Sequence, residues 1–151
     1  MAGIIATNKK AFRDYFLHDK WECGIVLTGG EVKSLRQGKV NFKDSFARLE
    51  DDGVNLYNMH ISPYKQASYM NEPADRARRL LLRKKEIRKI ASAVSQKNMT
   101  LVPTKIYFNN RGLVKVEIAL GKGRRLYDKR EIIQKRAVER ALNRIMTHRR
   151  R

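Results

Sequence analysis

This sequence predicts a mainly β protein: a small antiparallel barrel with peripheral helices, followed by a basic C-terminal tail. Three observations lead there. Five apolar stretches rich in β-forming residues are separated by turn residues. Val114, Val116 and Ile118 alternate with Lys115, Glu117 and Ala119, the period of a strand that buries one face. After Gly121 the composition shifts, with 12 Lys or Arg among the last 31 residues, too dense a run of like charge to belong to a core. The chain has 151 residues, enough for one compact domain and a tail. The boundary at Gly121 divides it into a barrel over 1–120 and a tail over 121–151.

The elements follow in order. Asn8 to Phe16 places Ala11, Tyr15 and Phe16 at helical spacing with Lys9, Lys10 and Arg13 opposite, which predicts a short helix ending near His18. The five strand candidates are Glu22 to Thr28, Ser45 to Glu50, Val54 to Ser62, Met99 to Phe108 and Leu113 to Leu120. The runs EDDGV and NNRGL supply the glycine-bearing tight turns that join antiparallel neighbours. Between the first two strands, a Gly29-Gly30 turn precedes a helix of one or two turns over Glu31 to Arg36, with Val32 and Leu35 three apart. Lys84 to Gln96 carries Ile87, Ile90, Ala91 and Val94 at i, i+3, i+4 and i+7 and predicts a better-formed helix than Glu31 to Arg36. Short strands with an inserted helix describe a closed or partly open barrel, of which the oligonucleotide-binding (OB) fold is the relevant example, or a split βαβ sheet.

Lys and Arg number 34 against 15 Asp and Glu, a formal charge of +19 that needs a polyanionic partner when the protein docks. The longest wholly apolar runs are three residues, Ile25 to Leu27 among them, so no membrane span is predicted. Met1 to Ala6 has no export pattern, and a lone Cys23 fits a reducing cytoplasm. The Asn98-Met99-Thr100 sequon is then a chance match. His18, His60 and His148 are widely separated and Cys23 has no neighbouring Cys, so no metal ligand set begins here. GKGRRL lacks the Ser or Thr and the glycine spacing of a phosphate-binding loop. No nucleophile, base or carboxylate pair is arranged for catalysis, and no catalytic residue or cofactor is expected.

Two constellations carry the function. Arg76 to Lys89 holds eight Lys or Arg in fourteen positions around Leu80, Leu81 and Leu82. A solvated helix start would explain the charge, but like charges so close repel unless an anion lies near, so RNA contact is preferred. Arg76, Arg78, Arg79, Lys84 and Lys85 would hold phosphates, while exposed leucine packs on unstacked bases. The second run, WECGIVLTGGEVKSLRQGKVNFKDSF, reads structurally as strand, turn and helix, with Glu31 at the positive end of the helix dipole.

Gly24 to Arg36, GIVLTGGEVKSLR, resembles the signature of the small protein B (SmpB) family, the SsrA-binding proteins of bacterial trans-translation. NMHISPY, RRLLLRKKEI, KIYF, VKVEIALGKG and LYDKRE follow in that family's order and spacing, so the resemblance covers nearly the whole chain. It implies an OB-like antiparallel β-barrel that binds the tRNA-like domain of tmRNA and stands in for the missing anticodon arm. It implies that an acidic residue at Glu22, a leucine at Leu81 and a polar residue at Arg83 belong to the RNA-binding surface, with Lys33, Arg36 and the basic residues around them on the backbone. It implies a tail disordered when free that enters the vacant messenger channel of the small ribosomal subunit near the decoding centre and folds there as a helix. It implies that Gly123, Arg124, Arg125, Tyr127, Asp128, Lys129 and Arg130 are the tail's ribosome-binding residues. It implies too that elongation factor Tu and alanyl-tRNA synthetase act on the same RNA and that the protein is a cytoplasmic monomer.

Gly30 and Arg83 depart from the family pattern, as does the tail after Glu131. In that tail Ile133, Ala137, Ala141 and Ile145 recur every four positions beside Val138, Leu142 and Met146, an amphipathic helix. Gly121 and Gly123 read as its hinge, and Tyr127 as a ring to stack on an exposed base. Two rival functions stand beside the adaptor: a structural or general RNA-binding protein, and an RNA-processing enzyme.

Overall fold

A computed structural model describes residues 3–64, 73–97, 99–123 and 136–145. Nine strands and three helices run in the order β1 (Gly3–Thr7), α1 (Lys9–Asp14), β2 (Tyr15–Ile25), α2 (Gly29–Arg36), β3 (Val40–Asn41), β4 (Phe46–Glu50), β5 (Gly53–Tyr57), β6 (His60–Ile61), β7 (Arg78–Leu81), α3 (Lys84–Lys97), β8 (Thr100–Phe108) and β9 (Val114–Gly123). A further helix spans 136–145. The main sheet has the order β1-β8-β4-β5-β7-β2-β9, and β9 returns to β8, so the strands from β8 round to β9 close into a barrel. Every pairing is antiparallel. The closed antiparallel circuit decides for the barrel over the split βαβ sheet.

Inward residues of these strands form one core: Cys23, Ala47, Val54, Leu56, Leu80, Leu101, Ile106, Val116, Ile118 and Leu120 are buried. Helix α3 lays Ile90 on it, with Ala93 and Val94 beside. At α1, Asn8 is the N-cap, accepting from the Ala11 amide. Its side chain also donates to the carbonyl of Pro103 at 2.8 Å, tying the helix to β8. The two expected hairpin turns are present. Gly53 and Gly112 take positive φ of 129° and 76°, conformations that side chains resist, and the Asn109 carboxamide oxygen accepts from the amides of Arg111 and Leu113.

Several elements differ from expectation. Helix α1 ends at Asp14, and Tyr15 and Phe16 already belong to β2, seven residues before the expected strand start. Val54 to Ser62 is two strands, broken where Asn58 takes φ 63°. Gly29 and Gly30 are not a turn but the first turn of α2, capped by Thr28 in a full capping box with Glu31. Arg78 to Leu81 is a strand rather than a helix start, and β1 was absent from the sequence reading. Gly121 is no hinge: it sits inside β9, opposite Leu17 on β2, where an added Cβ would lie 3.0 Å from the Tyr15 ring. The strand runs on through Gly123, opposite Tyr15. In the 136–145 helix, Val138, Leu142 and Ile145 are exposed along one stripe, as the sequence periodicity predicts.

Candidate nucleic-acid interface

Strand alternation puts residues of four strands on one outward face. Gly24 of β2 lies opposite Leu81 of β7 on one side and Lys115 of β9 on the other, and Lys115 faces Tyr107 of β8. In the next row Glu22, Glu117 and Lys105 stand side by side. Leu81 is 55% exposed, so it is not a core leucine. It rests against Gly24, where a Cβ would come within 3.2 Å of the Leu81 Cβ. Glycine at this position lets the leucine lie flat on the sheet.

Around that contact is an open hollow of about 570 Å³, lined by Glu22, Gly24, Leu81, Leu82, Arg83, Glu86 and Lys115. Glu22 therefore meets Leu81 and Arg83 at one place although it comes from a distant part of the chain. Arg83 precedes α3, and its amide donates to the Glu86 carboxylate at 3.3 Å, which closes the first turn. Its side chain is exposed, as are those of Lys84 and Lys85 beyond it. On the far side Tyr107 donates its hydroxyl to Glu22 Oε2. The Lys105 ammonium lies 5.4 Å over the Tyr107 ring, and Glu117 accepts from the Thr104 hydroxyl at 2.5 Å. Beneath the hollow Cys23 is fully buried, and burial, with the nearby carboxylates of Glu86 and Glu22, pushes its thiol up to about 12. It stays protonated and packs as a small apolar side chain.

The arginines of the basic run divide by where they point. Arg78 was expected to hold phosphate, but it is 1% exposed and cannot reach RNA. Its guanidinium donates to Glu31 Oε2 at 2.6 Å and to the carbonyls of Met59 at 2.6 Å and Ala74 at 2.9 Å. Arg76 is partly buried, and its Nη2 lies 2.5 Å from Glu31 Oε1. Burial would raise the Glu31 pKa, yet the bonds from Arg76 and the Thr28 amide, with the adjacent Arg78, outweigh it and hold the carboxyl below its ordinary value. Glu31 is thus the hub of a structural clamp between α2 and the start of β7 with the residues just before it. Arg79, one residue on, is exposed and pairs with Asp52. Lys33 and Arg36 are exposed on α2, away from the lining of the hollow, with the Lys33 ammonium 5.3 Å over the Tyr64 ring.

Sequence reasoning missed Lys115, Tyr107 and Lys105 as parts of this face. The alternation through β9 placed Lys115 outward, but only the β8 and β9 pairing shows what it stands beside. Of the expected tail residues, Gly123 ends β9, while Arg124, Arg125, Tyr127, Asp128, Lys129 and Arg130 lie outside the described residues. Among the described residues no three His, Cys, Asp or Glu side chains group to hold a metal, and no helix is long and apolar enough to cross a membrane.

Comparison with known proteins adds three findings. The family model for SmpB protein matches residues 5–148. An SsrA-binding protein of Caldanaerobacter subterraneus subsp. tengcongensis is 57% identical over 92% of this chain and 87% of its own length. One from Thermosipho melanesiensis is 55% identical over 92% and 95%. A solved structure described as "tmRNA-SmpB: a journey to the center of the bacterial ribosome" contains a chain 50% identical, superposing with a TM-score of 0.69 over 91% of this chain and 96% of that one.

Proposed function

This chain belongs to the SmpB protein family, and from that premise we propose that it is an RNA-binding adaptor of trans-translation. It binds the tRNA-like domain of tmRNA, the SsrA RNA of its relatives' name, and delivers it to stalled ribosomes, so that the nascent chain is tagged and the ribosome released. The observation that carries this reading is the hollow at Gly24, where an exposed leucine, a carboxylate and an arginine converge on one sheet face bordered by lysines. An apolar wall for an unstacked base, acceptors for its edge and cations for the flanking phosphates are what RNA recognition of this kind requires.

In this reading Glu22, Leu81 and Arg83 face the RNA, and Lys33, Arg36, Arg79, Lys84 and Lys85 hold its backbone. Arg76 contributes through its exposed edge, and Arg78 only supports the fold. The barrel is the tmRNA-binding unit, and the tail from 124 onward occupies the empty messenger channel near the decoding centre as a helix. Alanyl-tRNA synthetase and elongation factor Tu act on the same RNA. The protein itself performs no chemistry and works in the cytoplasm as a monomer.

The test is the RNA that copurifies with the protein, followed by tagging of a peptidyl chain on a truncated message in a reconstituted reaction. Equal binding to ribosomal RNA fragments and to the tRNA-like elbow would favour a general RNA-binding protein instead. Turnover of labelled RNA would make it an enzyme.

A further inference from the structure

We propose that Tyr107 is a positioning residue for RNA recognition: its phenol holds the Glu22 carboxylate on the sheet surface so that the second oxygen meets an amino or imino donor on the edge of an unstacked base. The inference rests on the reading of this face as the tmRNA-binding surface.

A carboxylate is an unusual group to offer a polyanion. It repels phosphate and can only accept, and the donors RNA presents to it are base edges and ribose hydroxyls. Glu22 can therefore add affinity only if it is aimed. Left to itself, in a chain of charge +19 and with Lys115 lining the same hollow, its flexible side chain would pair with that lysine and neutralise a phosphate contact at the same time. The Tyr107 hydroxyl takes Oε2 from across the face, 85 residues away in sequence, while Oε1 has no partner among the described residues.

Tyr107 is suited to the task. It stands near the end of β8 but is paired on both sides, with Ile4 of β1 and Lys115 of β9, so its backbone is held by the sheet. The Lys105 ammonium over the ring limits its rotation. Burial, the bond to Glu22 and the charges of Glu22 and Glu117 all raise the phenol pKa, so the hydroxyl is a donor throughout the physiological range. Lys115 remains available to phosphate because the carboxylate beside it is already held.

The experiment uses the full chain and two probes, the transcribed tRNA-like domain of tmRNA and inorganic polyphosphate, which has charge but no bases. Tyr107→Phe keeps the ring and removes the hydroxyl. It should weaken binding to the tRNA-like domain by about tenfold, the size of one charge-assisted hydrogen bond. Binding to polyphosphate, the slope of affinity against salt and the melting temperature should not change. Glu22→Ala should lose at least as much, and the double variant should bind no more weakly than Glu22→Ala alone. Wild-type affinity in Tyr107→Phe, losses that add in the double variant, or a reduced salt slope would overturn the proposal. A wild-type protein that does not prefer the tRNA-like domain to polyphosphate would instead overturn the functional reading beneath it.

Discussion

Arg78 and Leu81 lie three positions apart on β7 and face opposite sides of the barrel wall, so truncating each has opposite consequences. Leu81→Ala removes an exposed side chain and should cost about 1 kcal/mol of stability or less, leaving the melting temperature nearly unchanged. On the proposed function it should weaken tmRNA binding by roughly tenfold, from the lost apolar contact. Gly24→Ala should show the same signature, because its Cβ would press on Leu81 from 3.2 Å and lift it from the sheet. Arg78→Ala leaves Glu31 charged, buried and short of a partner, at a cost of about 3–5 kcal/mol measurable by chemical denaturation. The same clamp carries a pH dependence. Because the folded Glu31 pKa is depressed, its contribution is fully present above the ordinary carboxyl value of 4.5 and is lost as pH falls through the lower folded value. Wild-type stability should therefore drop more steeply below about pH 4.5 than that of Glu31→Gln, which is weaker at neutral pH and flatter in acid. None of this parity could be read from RARRLLLRKK. Three consecutive leucines and clustered arginines show no alternation, and which of them faced inward depended on where β7 met β2 and β5.

Elements that carry their own stop signals were legible in the sequence, and those defined by a distant partner were not. Both hairpins announce themselves through glycines at positive φ, and α3 through its apolar stripe. Helix α2 was visible through Val32 and Leu35 three apart, but its start was not, because Thr28 ends a strand-like run and the helical Gly29 and Gly30 read as a turn. By contrast the first half of β2 is largely exposed and its Tyr15 and Phe16 continue the helical spacing of α1; it is a strand because β9 pairs with it across a register shift between Leu17 and Lys20. β1 likewise exists as the neighbour of β8. Gly121 shows how a composition boundary can mislead. Glycine is needed there because the Tyr15 side chain crosses it, not because the chain must bend. Gly121→Ala should cost about 1–3 kcal/mol through overpacking, read as a lowered denaturation midpoint, whereas a hinge would tolerate alanine. The candidate site divides in the same way. Glu22, Leu81 and Arg83 were found through family resemblance, while Lys115 and Tyr107 needed the β8–β9 register.

At the scale of the molecule, a barrel that closes on itself leaves its charge to the surface and the tail. With about six phosphate contacts from cations around the hollow, raising salt from about 50 to 200 mM should weaken RNA binding on the order of a thousandfold, read by binding titrations at both salts. On the proposed function the tail is a separable part of this design. Its helix over 136–145 keeps Val138, Leu142 and Ile145 exposed on one stripe, a face with no use to an isolated helix and a ready one to a helix laid against a wall. Where to cut between the two parts follows from β9, not from the shift in composition. Gly121, Lys122 and Gly123 are paired with Leu17, Phe16 and Tyr15, so a chain ending before them would lose an end of the barrel together with the tail and confuse two effects. A chain ending at Gly123 keeps every one of those pairs. It should melt within a few degrees of the whole protein and bind the tRNA-like domain of tmRNA with near-normal affinity, yet fail to support tagging on stalled ribosomes. Tyr127→Ala in the full chain should show a milder tagging defect if its ring stacks on ribosomal RNA, a contact worth about 1–3 kcal/mol. Normal tagging by the shortened chain would remove the tail from the mechanism. Loss of RNA binding with the barrel still folded would move the tail to the earlier step, recognition of the RNA itself.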